Sequence, residues 1–298
     1  MWDDNLPAIE RAKVEVGRSL LESLGALRII WLHWEAKIGF LISIFIIFIA
    51  VFAPFIAPKH YAQIDLQHRL EPPSPSFPFG TDELGRCVLS RVIYGSRIAL
   101  WVGILVVLVE AFIGVPLGLT AGYWEGWLDR VISFFSDSIW ALPPLVLALG
   151  VVTIIGPGIT KVIIAIAIVS WPPFTRVTRA KVLSIKNKEF IIAARAIGES
   201  DISIIVRYIL PNIFPSILIL STLTLPTAIL STTALSFLGF GAQPPTPDWG
   251  AMIAGGIGYL QVAPWIATFP GIFLVLTSMG FNLLGDGLRD LMDPRLKI

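Results

Sequence analysis

The chain has 298 residues, of which 55% are hydrophobic and only 14% are charged, and its net charge of +1 indicates no particular partner. A soluble domain usually carries about 25% charged residues, because a protein of this size needs a polar surface. These values exclude a disordered chain and most soluble enzymes, and they predict a membrane protein that crosses the bilayer several times.

The N-terminal residues 1–37 mix acidic and basic side chains and contain no long apolar run. We expect a cytoplasmic amphipathic helix over 8–36 that lies near the membrane surface, with Trp31 and Trp34 as interfacial anchors. A cleaved signal peptide is not expected, because the apolar run that follows is too long for one.

Six apolar segments are long enough to cross a bilayer, which takes about 20 residues in a helix. Prolines interrupt the third and the fifth, and membrane helices tolerate them where neighbouring helices satisfy the freed backbone groups. The predicted spans are approximately 38–57, 98–121, 131–155, 159–175, 213–238 and 265–285.

Basic residues set the predicted orientation, since cytoplasmic loops are enriched in Lys and Arg. With a cytoplasmic N-terminus, sixteen of the 22 basic residues fall inside, seven of them in loop 176–212. We therefore expect an all-α protein with six transmembrane helices and both termini in the cytoplasm. The expected regions are an N-terminal segment (1–37), the first span with its outside loop (38–96), a core permease domain (97–285) and a cytoplasmic tail (286–298).

Two long loops, 58–96 and 239–264, are predicted to lie outside and are rich in proline or glycine. From Gly80 the first loop reads as a turn followed by a helix, with Thr81 or Asp82 as the expected N-cap. Both loops either cap the entrance of a pathway or simply pack over the helix ends.

Loop 176–212, predicted to be cytoplasmic, indicates two short helices. The first covers 188–197 and stops at Gly198, a residue that favours the left-handed conformation at a helix end. Ser200 is the expected cap of a second helix, which Pro211 is predicted to end near Leu210. The apolar side chains of the first helix exceed those of a solvated linker, so this helix either docks another protein or packs on its own bundle.

The same loop resembles the coupling loop of bacterial ABC importer permeases, whose pattern is Glu-Ala-Ala, three residues, Gly, nine residues, Ile, any residue, Leu-Pro. The matching positions are Ala193, Ala194, Gly198, Leu210 and Pro211. Ile192 stands where the family has Glu, and Tyr208 where it has Ile. Glu189 lies one helical turn earlier and replaces the missing acid in charge only.

Three further segments resemble the dipeptide/oligopeptide permeases of the C type, in the correct order along the chain. They are FGTDELGRCVLSRVIYGSRIAL (79–100), SFLGFGAQPPTPDWG (236–250) and FNLLGDGLRDLMDPRL (281–296). The first contains Gly80, Thr81, Asp82, Gly85 and Arg86, and it has Cys87 where the family usually has Asp.

The resemblance implies the type I importer permease fold, with a cytoplasmic coupling helix, in the inner membrane. It implies a heterodimer with a second permease, two cytoplasmic ATPases that hold ATP and Mg²⁺, and an extracytoplasmic binding protein. Dipeptides or oligopeptides are the expected substrates, and related permeases serve oligosaccharides or nickel complexes. No nucleic-acid partner is expected.

Within the predicted spans, Gly114, Gly118 and Gly122 recur every four residues and so share one helix face. Small residues at this spacing allow close helix packing. The partner in this packing is either the second permease or another helix of this chain.

Two acidic residues, Glu110 and Asp137, fall inside predicted spans. An acid in the bilayer costs about 2.5–3.5 kcal/mol on the insertion scale, so each should face a partner or a watery cavity. For Glu110 the alternatives are lining the pathway or packing as a protonated or hydrogen-bonded group. For Asp137 we expect a structural hydrogen bond.

No catalytic set accompanies these acids. There is no GxxxxGK[ST] phosphate loop and no HExxH or GxSxG motif, and His33, His60 and His68 lack metal-ligand spacing. We therefore expect a transport subunit without enzyme activity, cofactor or metal.

Two alternative functions remain to be compared. An intramembrane aspartyl protease would use Asp137 and Asp286, but the GxGD motif of that class is absent. A passive channel, or a secondary transporter driven by protonation of Glu110, would need no docking helix.

Overall fold

The computed structural model describes residues 34–292, with side chains through residue 290. In this part of the chain the secondary structure is helical, apart from an isolated bridge between Thr81 and Cys87. A 3₁₀ turn covers Leu66–His68 and a π-helical turn covers Ile205–Ile209. The α-helices are α1 (Trp34–Val51), α2 (Ala53–Ile56), α3 (Val88–Trp124), α4 (Gly126–Trp140), α5 (Pro144–Ile155), α6 (Ile159–Ser170), α7 (Pro172–Ile185), α8 (Glu189–Ala196), α9 (Asp201–Ile204), α10 (Leu210–Phe237), α11 (Trp249–Ile257) and α12 (Trp265–Met292).

The predicted all-helical, polytopic fold is confirmed. By length and composition, four helical units in the described chain are long and apolar enough to cross a membrane: α1, α3, the unit 201–237 and α12. Two further pairs, α4 with α5 and α6 with α7, pass the same test as bent pairs. The number of spans is therefore six if each bent pair is one span.

The third and fourth predicted spans differ from straight helices. α4 and α5 meet at 89°, and the break lies next to Pro143 and Pro144. α6 and α7 meet at 42°, where Pro172 occupies the first position of α7. Proline lacks the backbone N–H that would continue a helix but fits the first helical turn, so each break begins a new helix.

Two local predictions around the helix ends are wrong. Helix α3 begins at Val88 after Cys87, without a side-chain cap, so neither Thr81 nor Asp82 is its N-cap. Pro211 does not end the second cytoplasmic helix, because α9, the π turn and α10 form one helical unit over Asp201–Phe237. Pro211 lies in the first turn of α10, where its missing N–H costs least.

The first and last spans pack closely. Gly39 of α1 lies against Leu283 and Leu284 of α12, and Gly280 of α12 lies against Ile42 of α1. α12 also contacts α10, and α10 contacts α3. The largest buried apolar cluster joins residues of α1, α3, α5 to α8, α10 and α12, so the core extends through the bundle and includes the short helix α8.

Several predictions at the two ends of the chain lie outside the described residues. They include almost all of the amphipathic helix predicted over 8–36, with Trp31 and His33, and the tail residues Asp293 and Arg295. Trp34 is the first residue of α1 and is 69% exposed. Asp286 and Asp290 continue α12 on its last turns.

Candidate functional site

The short helix α8 lies where the coupling loop was predicted. It begins at Glu189 and ends at Ala196, slightly shorter than the predicted 188–197. Ile191 and Ala194 are buried, one turn apart, in the main core cluster. Because one face of α8 is anchored in the core, the helix is attached to the bundle as part of its packing.

The other face of α8 and the turn after it are apolar and exposed. Phe190 is 39% exposed, Ile192 54% and Ile197 77%. Ala193 belongs to this exposed face as well. Ile192 occupies the position where the family pattern has Glu, so the exposed surface is more apolar here than the pattern predicts. For a helix that lies outside the bilayer, as predicted for α8, an apolar patch of this kind marks a surface that another protein can cover.

The end of α8 has the predicted geometry. Gly198 has a φ of +84°, in the left-handed region that favours glycine. The backbone N–H of Glu199 donates to the Ala194 carbonyl at 3.1 Å, which closes the helix end. The Ser200 hydroxyl then accepts from the Ser203 N–H at 3.3 Å, so the predicted cap of the next helix is confirmed.

Ion pairs hold α4 against α7 beside this surface. Arg179 donates to both carboxylate oxygens of Asp129, at 2.5 and 2.7 Å. Arg176 donates to Asp137 at 2.8 Å, which is the hydrogen bond expected for Asp137. The bidentate pair fixes the geometry between the two helices, and the second pair lies at the surface of the chain, where the Asp137 side chain is 68% exposed.

A second set of contacts joins the C-terminal end of α3 to the coupling loop. The Tyr123 hydroxyl donates to Asp201 at 2.6 Å, and the Lys186 ammonium group donates to Glu125. Sequence reasoning missed these contacts, because the partners lie 78 and 61 residues apart. The sequence shows polar residues at the predicted cytoplasmic ends of the spans, but it does not predict which of them contact each other.

The glycine ladder packs against this chain's own helix α7. A Cβ on Gly114 would meet Phe174, one on Gly118 would meet Thr175 and Thr178, and one on Gly122 would meet Val182, all at 2.5–2.8 Å. The backbones of α3 and α7 therefore approach each other as small residues permit. The structure therefore favours packing of these glycines against another helix of this chain over packing against a second permease.

Glu110 lies in the middle of α3 and is 3% exposed. Among the described residues, no side chain or backbone group forms a hydrogen bond or an ion pair with its carboxyl group. The side chain is enclosed by the bundle, so in this conformation it does not line an open pathway. The buried Glu110 side chain therefore agrees with a packing role, and a role of Glu110 in transport stays a prediction.

The outside motif forms a buried polar cluster at the other end of α3. Asp82 accepts from the Arg86 backbone N–H at 2.9 Å and from the Arg86 guanidinium at 2.6 Å. Arg91 lies 3.5 Å from the same carboxylate. These three side chains are at most 10% exposed. Gly80 and Gly85 both have positive φ, which lets the loop turn tightly around this cluster.

The two loops predicted to lie outside share one apolar cluster with the start of α3, in which Leu70 and Phe79 pack against a core that includes Trp249. The Trp265 indole N–H donates to the Thr81 carbonyl, and the Trp249 indole N–H donates to the Val92 carbonyl, both at 3.0 Å. Asp248 caps α11 by accepting from the Ala251 N–H at 3.1 Å, and burial raises the pKa of its carboxyl group. The two loops therefore form one packed layer over the helix ends on the side opposite α8.

The two predicted sites thus lie at opposite ends of α3. This helix has 37 residues, which corresponds to about 55 Å at 1.5 Å per residue. The described residues contain no group of three His, Cys, Asp or Glu side chains placed to hold a metal ion. The arrangement presents an exposed apolar surface at one end and a packed layer of loops at the other.

Two known sequence families match parts of this chain. Residues 114–298 match the sequence family described as binding-protein-dependent transport system inner membrane component. Residues 27–73 match the N-terminal transmembrane domain of oligopeptide transport permease C.

Individual proteins are similar over most of their length. The dipeptide transport system permease protein DppC of Alkalihalophilus pseudofirmus is 44% identical over 88% of this chain and 86% of its own. The glutathione transport system permease protein GsiD of Escherichia coli is 46% identical over 86% of this chain and 85% of its own. A solved structure of the MetNI methionine ABC transporter in an inward-facing conformation is similar in fold, with a TM-score of 0.56, 18% identity, and coverage of 68% of this chain and 96% of its own.

Proposed function

Because the chain belongs to the family of binding-protein-dependent transport system inner membrane components, we propose that it is the permease subunit of an importer for dipeptides or oligopeptides, driven by ATP hydrolysis on partner subunits. The observation that carries the proposal is α8, a helix anchored in the core on one face and apolar and exposed on the other. We place the contact with a cytoplasmic ATPase on that exposed face.

The substrate class follows from the relatives. One is named for dipeptide transport and another for transport of glutathione, itself a short peptide. Both cover more than four fifths of this chain, and the match to oligopeptide permease C covers the first span. These names favour peptides over oligosaccharides or nickel complexes.

The proposed assembly has four kinds of component: this chain, a second permease, two ATPases that bind ATP and Mg²⁺, and an extracytoplasmic binding protein. The second permease would cover part of the exposed apolar surface of α3, α10 and α12, which encloses a groove of about 680 Å³. We place both termini and α8 in the cytoplasm, and the layer formed by the two outside loops where the binding protein docks.

The ATPase contact is tested by co-purification. Ile192→Lys puts a charge on the exposed face of α8 without disturbing the core, because Ile192 is 54% exposed. We expect this variant to retain less ATPase than the wild type and to lose uptake. Leu66→Lys is the matched control for ATPase co-purification, because Leu66 is 62% exposed but lies in the outside loop. Wild-type co-purification and uptake with Ile192→Lys would contradict the proposed contact.

A further inference from the structure

Tyr123 occupies the last turn of α3 and contacts both short helices of the coupling loop. Its hydroxyl donates to Asp201, the first residue of α9, at 2.6 Å. The Arg195 guanidinium, in the last turn of α8, lies 5.3 Å from the centre of the Tyr123 ring. A single aromatic side chain, 7% exposed, therefore lies between the helices on either side of Gly198.

The surroundings of Tyr123 make this contact specific. A hydroxyl that donates to a carboxylate at 2.6 Å is a charge-assisted hydrogen bond, about twice as strong as one between neutral groups. A cation over an aromatic face adds a second attraction. Two residues along the chain from Tyr123, Glu125 accepts from Lys186, just beyond α7. The end of α3 is thus joined to the residues before, within and after α8.

We propose that Tyr123 is the positioning residue that transmits movement of the coupling helix to α3. The proposal rests on the proposed function, because it requires that an ATPase moves α8. When α8 and α9 move, their contacts through Arg195 and Asp201 would displace the Tyr123 side chain. Since a helix shifts as a unit, the displacement would reach Val88 at the other end of α3, beside the outside motif.

The packing of α3 explains why a dedicated contact is needed. Along its cytoplasmic half, α3 touches α7 through the glycine ladder, where the Thr175 hydroxyl donates to the Gly114 carbonyl at 3.0 Å; this contact joins α3 to α7 and does not reach α8 or α9. α8 itself is anchored by the buried side chains Ile191 and Ala194. Tyr123 adds a directional contact from α3 to the residues after α8, because its hydrogen bond holds only when the hydroxyl and the Asp201 carboxylate are aligned.

The test uses the complete complex in proteoliposomes and measures substrate transported per ATP hydrolysed. Tyr123→Phe removes the hydroxyl but keeps the ring under Arg195. We expect the ratio to fall by roughly tenfold to a hundredfold, the range for loss of one hydrogen bond to a charged group, while ATPase co-purification changes little. Asp201→Ala, at an exposed position, should lower the ratio similarly, and the double variant should fall no further than either single variant.

Tyr94→Phe is the matched control. Tyr94 contacts the Tyr61 ring near the outside, and within the described residues its hydroxyl forms no hydrogen bond, so the ratio should stay at the wild-type value. A wild-type ratio in Tyr123→Phe, or additive losses in the double variant, would overturn the role of Tyr123 and leave the proposed function intact. Failure of the wild-type complex to bind ATPases would overturn both.

Discussion

Asp82 is the residue at the centre of the outside motif, and two arginines depend on it. Its carboxylate is 4% exposed and faces Arg86 and Arg91, which are 10% and 8% exposed. The cluster holds the loop before α3 in place, since the same carboxylate also accepts from the backbone N–H groups of Leu84 and Arg86. The motif is therefore a structural element of the outer layer.

Asp82→Ala should destabilise the protein strongly. The substitution leaves two buried guanidinium groups without their main partner, and breaking a buried ion pair from one side costs about 3–5 kcal/mol. We expect a clear fall in the Tm of the purified protein in detergent and faster proteolysis of the outside loop.

Glu83→Ala provides the control for this prediction. Glu83 also pairs with Arg86, at 2.8 Å, but its side chain is 30% exposed. Its loss should cost less than about 1 kcal/mol. Equal Tm values for the two variants would mean that the burial of Asp82 does not stabilise the loop.

Helices α3 and α7 approach each other closely along the glycine ladder, and Gly118 lies near the middle of this contact. A methyl group there would come within 2.6 Å of the Thr175 carbonyl oxygen and the Thr178 Cβ. Overpacking of this kind costs about 1–3 kcal/mol. Gly118→Ala should therefore lower the Tm, and Gly118→Leu should prevent folding or assembly.

Gly150 is a matched glycine in α5, with nothing within 4 Å of an added Cβ. Gly150→Ala should leave the Tm unchanged or raise it, because alanine is the better helix former by about 0.5–1 kcal/mol. A wild-type Tm for Gly118→Ala would contradict this prediction, because it would mean that α3 and α7 accommodate the added methyl group without loss of stability.

The turn after α8 has a different requirement. At Gly198 an added side chain would meet nothing within 4 Å, so only the positive φ restricts the residue. Gly198→Val should break the turn and reduce ATPase co-purification and peptide uptake, because a β-branched residue strongly disfavours this conformation. Gly198→Asn should retain most of both, since Asn tolerates it. Full uptake in the Val variant would contradict a role for the turn.

Some elements could be predicted from the sequence and others could not, for physical reasons. The four unbroken apolar helices, the Gly198 turn and the Ser200 cap depend on local residue types, and these predictions were confirmed. The third and fourth predicted spans are bent pairs of helices, and their breaks lie beside prolines. The prediction that Pro211 ends a helix was wrong. A proline is found both after the end of a helix and in its first turn, and here the π turn before Pro211 allows the helix to continue.

The contacts of the candidate site depend on chain folding. The Tyr123–Asp201 and Asp129–Arg179 pairs are 78 and 50 residues apart, and no local spacing specifies them. The motif residues Ala193 and Ala194 lie side by side in sequence, yet only Ala194 is buried. Which of them faces a partner could be decided only once α8 was placed on the bundle.

At the scale of the whole molecule, the predicted orientation can be measured with cysteine labelling. Cys87 is the only cysteine in the sequence and is buried, so its background reaction should be low. An impermeant maleimide should label Gln67→Cys in intact spheroplasts, and Asn187→Cys only after the membrane is opened. Both positions are exposed, so the difference reports sidedness. The reverse pattern would contradict cytoplasmic placement of α8.

The most direct test of the account is uptake of a labelled dipeptide by proteoliposomes that contain the complete complex. We predict that uptake requires ATP inside the ATPase compartment and the binding protein on the opposite side, and that an imposed proton gradient neither replaces ATP nor increases uptake in its absence. Uptake driven by the gradient without ATP, abolished by Glu110→Gln, would contradict the account and identify the protein as an ion-coupled transporter.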